Sequence, residues 1–437
     1  MLAALLVLVP ITGAAAPLNL ANSPLFLATS VEPNITFVND DSGSMDWGIM
    51  VVQGGEGTMV LDGRQFSGDR RQRYVHVFCM SDNNDCTLDG DKWDNSSEWD
   101  RHEIVPSVAA LVAHAKHKAD VYGVWRARFS GFNAMYYNPE VTYTPWAGVN
   151  EVGAPYGNVD PTEAPLDPYL DEDNDDYREA DLENDFEWIS DDVPRPFESG
   201  SDDILVQNYY PARYYLWTDT NTNGLVDATD AHTLVEIRSS NEPYVHTSGD
   251  RADCGNALAC TYEEEMQNFA NWFSYYHRRE HAAKNAIGKF SAAANGVRLA
   301  YGTLHDNNNN IIDIASMNPD PASGNKRALL DGLYRTQSTG GTPLRRTLAE
   351  AGDYYECSVG SSLWSGCPIL PAASGGACQQ NFAVLMTDGF WNGSNPGVSN
   401  TDIDGAGSFD GPPYEDSVSN TLADVAMHYY ERDLDTV

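Results

Sequence analysis

Basic residues are scarce in this 437-residue chain, which has 26 lysines and arginines against 64 aspartates and glutamates. The formal net charge at pH 7 is therefore −38. Nucleic-acid binding needs clustered positive charge to neutralise phosphates, so we expect no nucleic acid as partner. Divalent cations and a medium of high salt suit such a chain better, although most of these carboxylates are expected only to keep it soluble.

Long apolar runs are also scarce, and the clearest one lies at the N-terminus. Residues 2–9 are apolar and small residues follow at 13–16, as in the hydrophobic and cleavage regions of a secretory signal. We predict that residues 1–15 are a signal peptide and that the chain is exported. No other stretch approaches the roughly 18 apolar residues of a membrane span, so we predict no transmembrane span in the mature chain.

Sequence signatures of catalysis are missing. There is no GxSxG, no phosphate-binding GxxxxGK[ST], no HExxH and no GxGxxG after a predicted strand. We therefore predict that the chain is not an enzyme. None of the ten histidines forms an HExxH motif, and we expect His281, near the predicted long helix, at the surface rather than as a metal ligand.

Seven cysteines are present, and none forms a CxxC pair, which argues against a zinc or thioredoxin-like site. Disulfides are the default in an exported chain. We predict at least two, and the short loops favour Cys79–Cys86 and Cys254–Cys260. The sequence does not choose which thiol stays unpaired among the other three, Cys357, Cys367 and Cys378.

Three apolar runs predict the strands of a buried parallel sheet, at residues 35–38, 297–304 and 382–386. Apolar residues at three- and four-residue spacing predict one long helix across 266–290, before the second strand. Strands and helices that alternate in this way predict an open α/β sheet with helices on both faces. Such a sheet binds its ligands at the carboxyl ends of the strands.

Two shorter helices complete the predicted pattern. One opens at Thr342, a hydroxyl N-cap, with Pro343 at the first helical position. The other begins near Asn420 and is predicted to bury four apolar residues, Leu422, Val425, Ala426 and Tyr429.

A large irregular segment, residues 48–262, interrupts this pattern and is predicted to be one insertion. It is rich in Gly, Pro, Asp, Tyr and Trp and has few helical patterns. Within it, residues 160–192 hold 15 acidic residues and one basic residue, Arg178. We predict that this acidic stretch is a solvated and partly mobile loop.

A DxSxS motif follows the first predicted strand, with Asp40, Ser42 and Ser44 at alternate positions. Alternate residues of a tight turn converge, and carboxylates and hydroxyls are the ligands that a hard cation prefers. The motif alone is equally consistent with an ordinary polar turn. Two further segments supply oxygen ligands: Thr342 in a glycine loop before a helix, and Asp388 at the end of the third strand.

These three segments, in this order, resemble the metal ion-dependent adhesion site of von Willebrand factor A domains. The resemblance implies a von Willebrand A-type open sheet. It also implies that one divalent cation, Mg²⁺, Mn²⁺ or Ca²⁺, is surrounded by five residues: Asp40, Ser42, Ser44, Thr342 and Asp388. In that family one coordination position is left for an acidic group of a partner. The alternative for Thr342 is a role as a helix cap only.

A second metal-binding motif lies inside the insertion, at residues 219–230, and matches the spacing of an EF-hand-like calcium loop. Side chains at the first, third, fifth, ninth and twelfth positions and the carbonyl of the seventh would bind Ca²⁺. These residues are Asp219, Asn221, Asn223, Leu225, Asp227 and Asp230. The twelfth residue is Asp rather than Glu, and its shorter side chain lowers the expected affinity. The alternative is a polar turn without an ion.

Several longer sequence segments resemble PilY-type proteins of type IV pili, whose relatives include the PilC adhesins. The similar segments are residues 33–47, 214–231, 268–280, 380–393 and 421–434. The resemblance implies an adhesion and biogenesis protein at the pilus tip, the outer membrane surface or outside the cell. Its implied partners are minor pilins or the pilus tip, and a host or surface ligand that carries an acidic group.

The same resemblance sets the expected domain limits. We predict a von Willebrand A-like domain over residues 31–437. We expect it to be incomplete at its C-terminus, because its sheet should continue past Val437 and family members continue into a β-propeller. The alternative function is that of a secreted von Willebrand A protein that binds a matrix or polymer and has no connection to pili. An intracellular chelatase-type subunit is a third possibility, which the signal and the cysteines oppose.

Overall fold

The computed structural model describes a defined part of the chain. Described residues are 31–46, 48, 50, 59–61, 64–66, 124–173, 179–194, 201–227, 230–305, 310–389, 391–405, 410–432 and 434. The predicted signal peptide, 1–15, and the predicted Cys79–Cys86 disulfide lie outside the described residues. The Cys254–Cys260 disulfide is confirmed, and Cys357 is joined to Cys367. Among the described cysteines, Cys378 is free and exposed.

The secondary structure of the described residues consists of short strands and five α-helices. In chain order the strands are β1 (Asn34–Asn39), β2 (Met59–Leu61), β3 (Arg64–Phe66), β4 (Ala164–Pro165), β5 (Glu179–Ala180), β6 (Phe186–Pro194), β7 (Ser201–Tyr209), β8 (Arg213–Thr218), β9 (Ala231–Glu236), β10 (Tyr244–Val245), β11 (Ala259–Cys260), β12 (Arg298–Thr303), β13 (Ile312–Ser316) and β14 (Asn381–Met386). The helices are α1 (Tyr262–Tyr276), α2 (Arg279–Ala293), α3 (Gly324–Arg335), α4 (Leu344–Tyr355) and α5 (Leu422–Tyr430). Among the described residues, no helix combines the length and apolar character needed to cross a lipid bilayer.

A four-stranded sheet of order β13-β12-β1-β14 forms the centre of the fold. The central strand β1 pairs in parallel with β12 on one side and with β14 on the other. The edge strand β13 is antiparallel to β12, as is common at the edge of an otherwise parallel sheet. The three strands predicted from the sequence are thus confirmed as neighbours in one mixed, open α/β sheet.

Helices cover both faces of this sheet because successive side chains of a strand point to opposite faces. On one face Phe37 and Tyr301 join a large core that includes residues of α1, α2 and α3. On the other face Val38 and Ala300 pack in a smaller core with residues of α4. The prediction of helices on both faces is confirmed.

The long helix predicted across 266–290 is wrong: the structure has two helices, α1 and α2. The backbone leaves the helical conformation at Arg278, which is extended and precedes the first residue of α2. Neither proline nor glycine occurs at this junction, so the apolar spacing continues through it. His281, expected at the surface, is 1% exposed, and its ring lies 5.3 Å from the ring of Trp146.

The described part of the insertion packs its aromatic residues against α1. Tyr136 and Tyr137 contact Trp272 and Phe269 with ring centroids 5.0 Å apart in each pair. The strands β4 to β11 form four two-stranded antiparallel ladders. The insertion therefore shares the large core with one face of the central sheet.

The acidic stretch at 160–192 is not simply a solvated loop. Leu166, Tyr169 and Leu182 are buried in the large core, and Asp167 beside them is half-buried. Apolar residues placed between the carboxylates supply this packing, which a count of charges does not reveal. The prediction of a solvated loop is therefore wrong for these parts of the stretch.

The edge strand β14 borders an open groove. Helix α5 begins with a capping box in which Thr421 and Asp424 satisfy each other's backbone N–H groups. Val425 of α5 is fully buried, but Ala426 is exposed, which corrects the predicted buried face. Ala426 lines the groove between α4, α5 and β14, and no described element fills that groove.

Candidate metal centre

The predicted ligands converge at the carboxyl edge of the central sheet. Asp40 directly follows β1, and Asp388 lies two residues after the end of β14. Because β12 and β14 lie on opposite sides of β1, the chain leaves this edge in two directions. The resulting crevice is where open α/β sheets bind ligands.

Four of the five predicted ligands form one hydrogen-bonded cluster. Asp40 Oδ1 accepts the Ser42 backbone N–H at 2.8 Å, and Asp40 Oδ2 accepts the Thr387 hydroxyl at 2.7 Å. The hydroxyl oxygens of Ser42 and Ser44 are 3.1 Å apart. The Ser44 hydroxyl donates to Asp388 Oδ1 at 3.1 Å. The sheet thus unites residues that lie 344 positions apart in the sequence.

Backbone hydrogen bonds hold the glycine loop that carries the fifth predicted ligand, Thr342, against this cluster. The Gly43 N–H donates to the Gly340 carbonyl at 3.1 Å, and the Thr339 N–H donates to the Asp41 carbonyl at 2.7 Å. Thr342 itself is 7% exposed. The structure therefore brings the loop to the site.

Thr342 is not the cap of α4. Pro343 takes the cap position, and no side chain there makes a capping hydrogen bond. The Thr342 backbone pairs instead with Asn392, whose Oδ1 accepts the Thr342 N–H at 2.8 Å and whose N–H donates to the Thr342 carbonyl. Asn392 was not predicted as a site residue from the sequence. Its position four residues after Asp388 was the one feature that indicated a place near the site.

The donor set of the cluster fits a hard divalent cation, because it contains only carboxylate and hydroxyl oxygens. Asp40 is completely buried, and this burial raises the pKa of its carboxyl above the usual range. The neighbouring Asp41 is also buried, and burial raises its pKa to about 6. Buried carboxylates that accept hydroxyl hydrogen bonds are suited to holding a cation.

Two arginines at the start of α2 reach this site, and sequence reasoning missed both. Arg278 forms an ion pair of 2.9 Å with Asp46, which ends the short 3-10 turn Gly43–Asp46. Arg279 Nη1 contacts Asp388 Oδ2, and the side chains of this pair are 4% and 5% exposed. The sequence carried no signal for either arginine, because both lie inside the single helix predicted across 266–290 and α2 begins at Arg279 only in the structure.

The second candidate site, the loop at 219–230, folds as a tight turn around its own side chains. The amide groups of Asn221 and Asn223 donate to Asp227 Oδ2 at 2.7 and 2.8 Å. Gly224 has a φ of 74° and donates its N–H to Asp219 Oδ2 at 2.8 Å. The other oxygen of Asp219, Oδ1, is buried and has no hydrogen-bond partner, which favours a cation in this loop.

The last two predicted ligands of this loop differ in their surroundings. Leu225, which would offer its carbonyl, has a side chain exposed to solvent. Asp230 lies at the base of the loop and is buried. Its Oδ2 accepts the Trp217 indole N–H at 2.9 Å, and its Oδ1 accepts the Thr220 hydroxyl at 3.0 Å. These hydrogen bonds hold the pKa of Asp230 below its usual range and tie the loop to β8.

A third cluster of metal-type side chains brings together His246, Cys260 and Glu265. The sulfur of Cys260 is bonded to Cys254, and Glu265 is paired with Arg251 at 2.6 Å. Both groups are thus already engaged, and we assign no ion to this cluster.

Comparison with curated proteins finds Type IV pilus biogenesis factor PilY1 from strains of Pseudomonas aeruginosa. The factor from strain UCBPP-PA14 is 24% identical over 439 aligned residues, which cover 96% of this chain. The chain is similar to this pilus factor along nearly its whole length. The factor from strain PAO1 is 30% identical over 185 residues, or 39% of this chain, and the one from strain PAK is 28% identical over 209 residues. The resemblance to PilY-type proteins is therefore confirmed.

The matched regions cover 29% of the length of the UCBPP-PA14 factor, 16% of the PAO1 factor and 18% of the PAK factor, so the chain spans less than a third of each. No family model matches the chain. No solved structure matches it either. The fold described above therefore rests on its own strand order and packing.

Proposed function

We propose that this chain is a metal-dependent adhesion protein of type IV pili, exported to the pilus tip or the outer membrane surface. In this role it supports pilus biogenesis, attachment to surfaces and surface sensing. The similarity to the PilY1 biogenesis factor over 96% of the chain supports a role in pilus biogenesis. The convergence of the DxSxS loop, the glycine loop and Asp388 in one crevice supports the adhesion role and is the observation that carries it.

The fold proposed for this role is a von Willebrand A-type sheet interrupted by the insertion. The order β13-β12-β1-β14 corresponds to the first four positions of the doubly wound order 3-2-1-4-5-6. The antiparallel edge strand and the helices on both faces support the same assignment.

The adhesion-type site would hold Mg²⁺, Mn²⁺ or Ca²⁺ through Asp40, Ser42, Ser44, Thr342 and Asp388. A bound cation supplies a position at which an acidic group of a partner can bind. The chain's own residues fix the ligands: the Thr387 hydroxyl holds the carboxylate of Asp40, and Asn392 holds the backbone of Thr342. No step of bond making or breaking is needed, so we propose a binding protein and not an enzyme.

The loop at 219–230 would hold Ca²⁺ and stabilise the insertion. Its buried and unpartnered Asp219 oxygen supports this assignment. The loop is joined to the core of the insertion, because Arg126 donates a hydrogen bond to the Val226 carbonyl at 3.3 Å and stacks on Phe132. A cation in the loop would therefore strengthen contacts beyond the loop itself.

The proposed partners are minor pilins at the pilus tip and a surface ligand that carries an acidic group. The test is to delete the gene in the cell that encodes this chain and to complement it with the wild-type gene or with Asp40→Asn. We expect the deletion to reduce surface pili. We expect Asp40→Asn to restore pili but not attachment. Normal piliation after deletion would refute the pilus role, and normal attachment with Asp40→Asn would refute the metal-dependent role.

A further inference from the structure

Arg279 occupies an unusual position, because it is the first residue of α2 and yet lies against a predicted metal ligand. Positive charge at a helix N-terminus opposes the helix dipole, so this position is not favoured by the helix itself. The break between α1 and α2 directs Arg278 to Asp46 and Arg279 to Asp388. The contact with Asp388 therefore accounts for the placement of Arg279.

The two oxygens of Asp388 serve different neighbours. Oδ1 accepts the Ser44 hydroxyl, which belongs to the DxSxS loop, whereas Oδ2 contacts the guanidinium of Arg279. Arg279 thus neutralises the carboxylate through the oxygen that does not face Ser44. Glu280, the residue after Arg279, is already matched, because it pairs with Lys284 and accepts the Ser338 N–H at 2.8 Å.

Burial makes this neutralisation necessary when the site holds no cation. The Asp388 side chain is 5% exposed, and Asp40 is completely buried. A buried carboxylate without a positive partner is strongly destabilising. Arg279 supplies such a partner from the protein itself.

We propose that Arg279 acts as a built-in substitute for the cation, which stabilises the empty adhesion-type site and lowers its affinity for a divalent ion. This inference rests on the proposed metal-binding function. The two carboxylates among the predicted ligands balance the charge of one divalent cation. Arg279 adds positive charge next to the loaded site, which favours an anionic group of the partner.

The test measures Mg²⁺ and Mn²⁺ binding by titration calorimetry on the whole chain and on the variant Arg279→Gln. Gln keeps a polar side chain but removes the charge next to Asp388. We expect the variant to bind the cation more tightly, on the order of tenfold, because one repelling positive charge is gone. A residue with a purely structural role would give weaker binding when replaced.

Two matched variants isolate the charge. Arg279→Lys keeps the positive charge, and its affinity should stay near that of the wild type. Arg278→Gln removes the adjacent arginine, whose partner Asp46 is not a predicted ligand, and its affinity should change less than that of Arg279→Gln.

Thermal unfolding supplies a second readout. In a chelator, Arg279→Gln should unfold at a lower temperature than the wild type, and Mg²⁺ should restore more of its stability than it adds to the wild type. If the variant folds only in Mg²⁺, the inference is supported. A variant that does not fold in either condition, or that binds the cation no more tightly than the wild type, overturns it. A wild-type chain that binds no cation at the site overturns the proposed function itself.

Discussion

The two candidate cation sites are built in opposite ways. The loop at 219–230 has all its predicted ligands within one contiguous motif, and its backbone turns at Gly224. The adhesion-type site takes its ligands from segments that lie up to 344 positions apart and meet at one edge of a sheet. The first site is therefore a local property of the chain, whereas the second exists only when the sheet has formed.

Burial separates the two sites further. Asp40 of the adhesion-type site is completely buried, whereas Asn221, Asn223 and Gly224 of the loop are exposed. Solvent reaches the exposed tip of the loop, whereas Asp230 at the base of the loop is buried like Asp40 of the sheet edge.

The largest expected effect comes from weakening the contact between α1 and the insertion, which carries the loop at 219–230. Arg251 and Glu265 form a completely buried ion pair of 2.6 Å between them. Arg251→Met should lower the free energy of unfolding by about 3–5 kcal/mol, because the buried carboxylate of Glu265 loses its arginine and keeps only its contacts with His246 and the Tyr137 hydroxyl. Urea denaturation followed by fluorescence measures this loss.

The matched control is Arg238→Met, since the Arg238 and Glu236 side chains are 34% and 26% exposed and form a partly solvated pair. It should cost about 0–1 kcal/mol. Equal losses in the two variants would mean that the buried pair does not hold the insertion to α1.

The second prediction removes the adhesion-type site while the loop is kept. Asp40→Asn should reduce divalent-ion affinity at that site by roughly 100-fold or more, because a central carboxylate is lost. Asn retains an oxygen that can accept the Ser42 N–H, so the fold should persist. Calorimetry should show one fewer Mg²⁺ or Mn²⁺ site and unchanged calcium binding by the loop. An unchanged number of sites would reject Asp40 as a ligand.

The third prediction removes the loop while the adhesion-type site is kept. Asp219→Asn should weaken calcium binding by about tenfold, because one carboxylate of the loop is lost while its other oxygen ligands remain. Limited proteolysis of the segment from 200 to 260 should be slowed by Ca²⁺ in the wild type, and less so by Mg²⁺. The variant should lose much of that protection, whereas Asp40→Asn should keep it. Equal cleavage of the wild type in Ca²⁺, Mg²⁺ and chelator would mean that the loop is only a turn.

The smallest expected effect concerns pH and the support of the adhesion-type site. His277 and His281 flank the start of α2, and burial, with the positive charge of Arg278 nearby, lowers their pKa well below the usual 6.5. The unfolded chain takes up protons at these residues below about pH 6.5, whereas the folded chain does not. Their contribution to stability is therefore full above pH 6.5 and declines as the pH falls.

The variant His281→Phe isolates this contribution, because Phe can fill the place of the imidazole against Trp146. Acidic groups such as Asp41, whose raised pKa acts in the opposite direction, are the same in both proteins. The free energy of unfolding should fall less between pH 7.5 and 5.5 in the variant than in the wild type. The same pH dependence in both would show that His281 is protonated in the folded chain.

The local motifs were predictable because their signals are contiguous. Short segments of sequence were enough to predict the strands β1, β12 and β14, the DxSxS loop and the Cys254–Cys260 pair. The break at Arg278 was not predictable, because the apolar spacing runs through it and it has neither Gly nor Pro. Asn392 and Arg279 were not predicted for a related reason. Neither belongs to a recognisable motif, and each contacts a residue that is distant in the sequence, Thr342 for Asn392 and Asp388 for Arg279.

The sequence by itself determined the apolar strands, the oxygen-rich loops at their ends, the spacing of the calcium-type loop and the strong negative charge. Each of these depends on residue type and short-range spacing. The tertiary structure alone decided that Asp40, Ser44 and Asp388 share one crevice, that apolar residues within the acidic stretch join the large core, and that Arg279 neutralises Asp388. These features depend on which strands become neighbours and on which charges become buried, and both are set by the packing of the whole chain.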